Sequence, residues 1–101
     1  MRVVPAVLTP NGDGVNDNVD VAFEVFEITG AAAVRAEIWD LAGRRIRVIH
    51  EGDDGIGTYS WLWDGRDEAG RLTPPGVYVV TVSLDADADH LVRSRILHVV
   101  Y

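Results

Sequence analysis

The sequence predicts an all-β sandwich, and three observations carry this prediction. Apolar and polar residues alternate over most of the 101 residues, which is the period-two pattern of strands with one buried face. Clusters of Gly, Pro, Asn and Asp interrupt the alternation at short intervals, as the turns between antiparallel strands require. Apolar residues make up 48% of the chain, and no apolar run approaches the roughly 20 residues of a membrane helix.

The alternating segments predict about seven antiparallel strands. A change of phase at Phe26 and Ile28 predicts a bulge between Val25 and Phe26. A turn at residues 41–44 joins two strands as a hairpin. About seven strands is the number of a constant-type immunoglobulin-like sandwich. In chain order the segments are residues 3–8; Val21, Phe23 and Val25; Val34, Ala36 and Ile38; Ile46, Val48 and His50; Tyr59, Trp61 and Trp63; Tyr78, Val80, Val82 and Leu84; and residues 91–101.

The charge and the cysteine count exclude several classes of function. Sixteen acidic residues against nine basic ones, all of them arginine, give a formal net charge of -7. Such a chain is repelled by nucleic acid and by anionic membrane surfaces, so we expect no nucleic-acid partner and no membrane insertion. The absence of cysteine excludes disulfides, thiolate catalysis and cysteine-ligated metal sites.

The densest polar segment is residues 9–20, which resembles a calcium loop in the spacing of its oxygen atoms. With Thr9 as position 1 of a twelve-residue loop, Gly14 occupies the sharp-turn position 6. Thr9 then stands where such loops carry Asp, and Asp20 stands where they carry a bidentate Glu. Because of these two differences, we expect the affinity for calcium to be modest. The candidate calcium ligands are Thr9, Asn11, Asp13, Val15 through its backbone carbonyl, Asp17 and Asp20.

An alternative interpretation of this segment involves no metal. Asn and Asp side chains cap their own turns, and Gly12 and Gly14 supply residues with positive φ, so turn chemistry alone explains the composition. A second acidic row, Asp85, Asp87 and Asp89, lacks a turn glycine, and we interpret it as a solvated connection between strands.

Nothing in the sequence indicates an enzyme. His50, His90 and His98 lie on separate segments, and none stands at metal-ligand spacing from a carboxylate or a second histidine. The serines at positions 60, 83 and 94 lie inside alternating strand patterns rather than on a glycine-flanked strained turn. We therefore expect no catalytic residues.

Three aromatic residues on one strand face, Tyr59, Trp61 and Trp63, have two interpretations. They could form a flat strip on which sugar rings stack, which would make a glycan a ligand. We favour the other interpretation, in which at least one of them fills the core, as a buried Trp does in immunoglobulin-like domains. We interpret the turns at residues 63–65 and 68–71 as structural.

Three segments resemble a known family: residues 8–17 (LTPNGDGVND), 38–46 (IWDLAGRRI) and 61–78 (WLWDGRDEAGRLTPPGVY). The first two resemble the C-terminal domains of gliding-motility-associated proteins and of proteins sorted by the type IX secretion system. The third resembles the same domains and also the immunoglobulin-like domain of the flagellar hook-capping protein. The segments occur in the expected order over nearly the whole chain, although its last residues, 93–101, lack the lysine-rich ending of many sorting domains.

The resemblance implies an immunoglobulin-like β-sandwich, with residues 1–101 as one domain at the C-terminus of a larger secreted bacterial protein. It implies a noncatalytic module for sorting or cell-surface attachment, an extracellular or cell-surface location, and secretion or cell-surface machinery as partners. The alternatives are a carbohydrate-binding accessory domain of a secreted hydrolase and a hook-cap-like assembly domain.

Overall fold

The chain folds into two β-sheets in a computed structural model that describes residues 2–4, 6–9, 17–25, 32–54, 57–85 and 90–100. The described residues form eight strands: β1 (Arg2–Val4), β2 (Val7–Leu8), β3 (Val19–Val25), β4 (Ala32–Asp40), β5 (Arg45–Asp54), β6 (Gly57–Trp63), β7 (Gly76–Asp85) and β8 (His90–Val99). No helix in these ranges is long and apolar enough to span a membrane.

The strands form a three-stranded sheet and a five-stranded sheet that enclose one core. Strand order is β1-β3-β6 in the first sheet and β2-β8-β7-β4-β5 in the second. Neighbouring strands are antiparallel except β2 and β8, which run parallel. This arrangement confirms the predicted all-β sandwich of immunoglobulin-like type and leaves β5 and β6 as edge strands of their sheets.

The predicted N-terminal strand at residues 3–8 is in fact two strands in different sheets. Val3 pairs with Val21 of β3, whereas Leu8 pairs with Val99 of β8. Pro5 lies between them and has no N–H to donate, so a continuous ladder through it is disfavoured. This division raises the strand number from about seven to the eight described, and it introduces the parallel pair.

The core contains the inward-facing residues of both sheets. Burial alternates along β7, where Tyr78, Val80, Val82 and Leu84 point inward, as the period-two pattern predicts. Burying apolar side chains in this way is the main favourable contribution to folding. The buried apolar residues are Leu8, Val19, Val21, Phe23, Val34, Ala36, Ile38, Trp63, Tyr78, Val80, Val82, Leu84, Leu97 and Val99.

The β4–β5 hairpin has the predicted turn but an irregular register. The pairing shifts between Ala36 and Glu37 and again between Ile38 and Trp39. Each shift adds a residue to β5, and Ile46 and Ile49 pack against the core there. The bulge predicted between Val25 and Phe26 involves Phe26, which lies outside the described residues.

Candidate functional site

Two five-residue turns with the same sequence pattern lie at the end of the sandwich where β4 and β6 finish. The first turn, residues 40–44 (DLAGR), joins β4 to β5. Asp40 N donates to Arg44 O at 2.9 Å, and Gly43 N donates to Asp40 O at 3.2 Å. Asp40 accepts bonds from Arg44 N and Arg44 Nε, both at 2.9 Å. Gly43 has φ of 85°, a conformation that glycine adopts without steric cost.

The second turn, residues 67–71 (DEAGR), repeats this bonding. Asp67 N donates to Arg71 O at 2.8 Å, and Gly70 N donates to Asp67 O at 3.0 Å. Asp67 Oδ1 accepts from Arg71 N at 3.0 Å, and Arg71 Nε lies 3.6 Å from Asp67 Oδ2. Gly70 has φ of 81°. We call residues 40–44 and 67–71 the twin turns. The repeated pattern D-x-A-G-R was the signal in the sequence that could have identified them as a pair.

The second twin turn is anchored to the core through the residues that precede it. The indole of the fully buried Trp63 donates its N–H to Arg66 O at 3.0 Å. Arg47 of β5 donates to Asp64 Oδ1 at 3.1 Å. Thr73 donates to Gly65 O through both its backbone N–H, at 2.8 Å, and its hydroxyl, at 3.0 Å. Several hydrogen bonds therefore attach the turn to the sandwich, which supports its interpretation as structural.

Glu68 brings the second twin turn against the edge of β5. Its backbone N donates to Ile46 O at 3.3 Å, and its carboxylate accepts from Val48 N at 2.6 Å. Glu68 thereby occupies backbone groups that would otherwise be unpaired on an edge strand, which protects that edge from pairing with another chain. The same two bonds place residues 67–71 beside residues 44–46.

A groove of about 410 Å³ lies between the twin turns. Arg44, Arg45 and Arg71 line it, together with Ile46 and Ala69 and with two acidic residues of the second turn. We call it the arginine groove. The side chains of Arg44 and Arg71 are each 81% exposed.

The first twin turn favours the charged form of Asp40. The backbone N–H of Arg44 and the Arg44 guanidinium both favour the ionised carboxylate, and together they lower the pKa of Asp40 below its ordinary value. The backbone bond is the larger cause. The folded turn therefore stabilises the ionised carboxylate of Asp40, and the ionised carboxylate in return stabilises the folded turn.

We expect the contribution of Asp40 to stability to disappear in acid. Because its pKa is lower in the folded chain than in the unfolded one, the contribution is complete above the unfolded value, about pH 4, and is lost as the pH falls through the folded value. Urea unfolding of wild type and Asp40→Asn, measured from about pH 6 to about pH 2.5, should show a stability difference that narrows with acidification. Asp53→Asn, at an exposed position of β5, is the matched control. A difference between wild type and Asp40→Asn that stays constant over this range would contradict the prediction.

The predicted calcium ligands are only partly described by the structure. Thr9 follows β2 and Asp17 precedes β3, and both are half-buried. Asp20 lies within β3, where its carboxylate accepts a hydrogen bond from Ser60 Oγ. Asn11, Asp13 and Val15 lie outside the described residues. Among the described residues, no group of three His, Asp or Glu side chains is placed to hold a metal ion.

The three aromatic residues of β6 do not form one exposed strip, because Trp63 is in the core. Its ring meets Tyr78 edge to face, with centroids 6.0 Å apart. Trp61 and Tyr59 are half-buried, and Trp61 stacks on Tyr59 at 6.2 Å and on His50 of β5 at 4.6 Å. The interpretation of one Trp as a core residue is thus confirmed, and the open side between β5 and β6 is filled by three stacked rings.

The opposite end of the sandwich, where β5 and β7 finish, is acidic. A groove of about 800 Å³ there is lined by Glu51, Asp53 and Asp85, with Arg35 as the lining residue of opposite charge. Arg35 Nη2 lies 3.1 Å from Glu51 Oε1. The lining of this groove is therefore mainly acidic, whereas the lining of the arginine groove contains three arginines and two acidic residues.

Comparison with known proteins shows which family the chain matches. The family model described as FlgD Ig-like domain matches residues 12–88, which include both twin turns. The chain belongs to the FlgD Ig-like domain family. The predicted relation to the immunoglobulin-like domain of the hook-capping protein is thus confirmed at the level of the family. A comparison with curated protein sequences gives no match.

Two solved structures share the fold of this FlgD Ig-like domain. FlgD from P. aeruginosa superposes with a TM-score of 0.63 and 23% identity over 81% of this chain and 61% of the FlgD chain. PorZ from Porphyromonas gingivalis, an essential bacterial surface component of the type IX secretion system, superposes with a TM-score of 0.58 and 20% identity. That match covers 99% of this chain and 11% of PorZ. The chain thus spans about three fifths of that FlgD and about a ninth of PorZ.

Proposed function

We propose that this chain is a noncatalytic module that attaches a larger secreted protein to secretion or cell-surface machinery outside the cell. The observation that carries the proposal is the fold shared over 99% of the chain with part of PorZ, a surface component of the type IX secretion system. Membership of the FlgD Ig-like domain family supports a structural rather than a catalytic role.

The bonding of the polar side chains also supports a noncatalytic role. Asp20 bonds Ser60, Asp40 and Asp67 bond their own turns, and Glu68 bonds the edge of β5. A catalytic site instead needs polar groups that converge on a space where a substrate can react. In the described part of the chain these carboxylates serve the fold.

A passenger fusion tests the sorting form of this proposal. Residues 1–101 fused to the C-terminus of a periplasmic reporter should carry it to the surface of a host with a type IX secretion system. The matched control is the same reporter fused to the immunoglobulin-like domain of P. aeruginosa FlgD, which shares the fold at 23% identity. A reporter that stays in the periplasm with this chain, or that is exported equally with the FlgD domain, would contradict the sorting role.

The second candidate is a hook-cap-like assembly domain, and the family match favours it. It differs in its partner, which would be a filament subunit or further copies of the parent protein rather than secretion machinery. If the reporter fused to residues 1–101 folds but is not exported, that result favours the assembly domain over the sorting module.

A further inference from the structure

Three arginines and two acidic residues line the arginine groove, although the whole chain has a net charge of -7. In both twin turns the aspartate side chain is less exposed than the arginine side chain. The side chains of Asp40 and Asp67 are 15% and 29% exposed, against 81% for Arg44 and Arg71. The guanidinium groups of Arg44 and Arg71 are therefore more accessible to a ligand than the carboxylates of Asp40 and Asp67.

The acidic groups around the groove are already used by the backbone. Asp67 Oδ1 accepts bonds from Ala69 N at 2.9 Å and from Arg71 N at 3.0 Å. The carboxylate of Glu68 accepts from Val48 N at 2.6 Å. These bonds fix the carboxylates of Asp67 and Glu68, so neither can turn toward the Nη groups of Arg44 and Arg71 without breaking them.

The guanidinium groups of Arg44 and Arg71 are each oriented by a contact at Nε, and their Nη groups remain as donors for a ligand. Arg44 Nε donates to Asp40, and Arg71 Nε lies beside Asp67. Within the described part of the chain, the Nη atoms of Arg44 and Arg71 donate no hydrogen bond. A guanidinium held at Nε in this way still presents its two Nη groups, and such planar donors match a carboxylate. Because the contacts at Nε already orient both side chains, less conformational freedom is lost on binding.

We propose that the arginine groove binds an acidic extended segment of a partner protein, whose Asp or Glu carboxylates pair with Arg44 and Arg71. Ile46 and Ala69, the apolar residues of the lining, then contact the aliphatic part of the bound side chains. The groove of about 410 Å³ accommodates a few residues of such a segment rather than a folded domain. No catalytic step is involved.

The distribution of charge favours a short acidic peptide over nucleic acid or an anionic membrane. The molecule extends 43 Å along its long axis, and its other end is acidic. Since the Debye length at physiological salt is about 8 Å, a short segment in the groove does not feel the carboxylates of the far end. A duplex or a lipid surface extends beyond the groove and is repelled by the acidic remainder of the chain.

This inference goes beyond the proposed function and does not depend on it. Binding of an acidic peptide can be measured on the isolated chain, whether or not the chain directs export. Failure of the reporter fusion would leave the groove in place, and failure of peptide binding would leave the sorting role to be judged by the fusion alone.

Fluorescence anisotropy of a fluorescein-labelled hexaglutamate peptide with an amidated C-terminus tests the proposal. We expect saturable binding to the full chain at about 20 mM salt that weakens at about 150 mM, since exposed ion pairs are screened by salt. The double variant Arg44→Gln and Arg71→Gln should weaken binding at least about tenfold, because it removes both charge-assisted contacts. The matched control, Arg93→Gln and Arg95→Gln on β8, removes the same charge outside the groove and should change the affinity less than about twofold.

A second pair of variants separates recognition from folding. Arg44→Lys and Arg71→Lys retain the charge but remove the planar fork, and we expect an intermediate loss of affinity. Thermal unfolding checks that every variant is folded. Three results would overturn the proposal: no saturable binding by wild type, equal losses in the groove and β8 variants, or tighter binding by a DNA oligonucleotide or by phosphatidylserine vesicles than by the peptide.

Discussion

Replacing Trp63 with alanine should cost about 3–5 kcal/mol of folding free energy, a large fraction of the 5–15 kcal/mol typical of a domain. Trp63 is the largest fully buried side chain, and it packs edge to face against Tyr78. Its indole also anchors the second twin turn through Arg66 O. The substitution removes apolar burial and leaves a cavity, and it also removes the donor to that carbonyl.

Urea unfolding followed by far-UV circular dichroism measures this loss, and two variants identify its source. Trp63→Phe retains most of the ring packing but loses the N–H, so its cost should be smaller than that of alanine. Trp61→Ala is the matched control, because Trp61 is half-buried on the same face of β6, and it should cost less than about half as much. Equal costs for Trp61→Ala and Trp63→Ala would show that Trp63 is not the centre of the core.

Calcium at about 10 mM should raise the unfolding temperature of the chain relative to excess EDTA. We propose that the loop at residues 9–20 binds the ion with the modest affinity of extracellular sites, for which dissociation constants are about 0.1–1 mM. A ligand that binds only the folded state at roughly 10–100 times its dissociation constant stabilises it by about 1.4–2.7 kcal/mol. In a chain of this size that corresponds to a shift of several degrees.

Variants of the loop distinguish the calcium site from the alternative of a capped turn. Asp13→Ala should abolish the calcium-dependent shift. Asp20→Ala should reduce it, whereas Ser60→Ala removes only the hydrogen bond to Asp20 and should leave the shift intact. An unfolding temperature that is the same in calcium and in EDTA would establish that Asn and Asp side chains cap this loop without a metal.

Most of the strands could be predicted from the sequence because their signal is local. In β7 every second residue from Tyr78 to Leu84 is buried, which a period of two predicts directly. The hairpin turn at residues 40–44 was predictable for the same reason, since Gly43 supplies the positive φ that the turn requires. The division of the N-terminal strand was not predicted, because it depends on pairing with β3 and β8, which are distant in sequence.

The candidate site shows the same difference between local and distant information. Each twin turn is encoded by five consecutive residues, and the repeated D-x-A-G-R pattern was present in the sequence. Their adjacency, however, depends on the bonds of Glu68 to the β5 edge and on the bond between Arg47 and Asp64. The sequence alone therefore identified the turns without indicating that Arg44 and Arg71 line one groove.

By itself the sequence determined the all-β class, the alternation of buried and exposed residues, and the chemistry of the turns, because each depends on neighbouring residues. Only the tertiary structure decided which aromatic residue of β6 enters the core, since Trp63 and Trp61 share one strand face but meet different parts of the opposite sheet. The tertiary structure also decided that Arg44 and Arg71, which are distant in sequence, line the same groove. That placement results from how strands distant in sequence pair and pack, which a one-dimensional pattern does not specify.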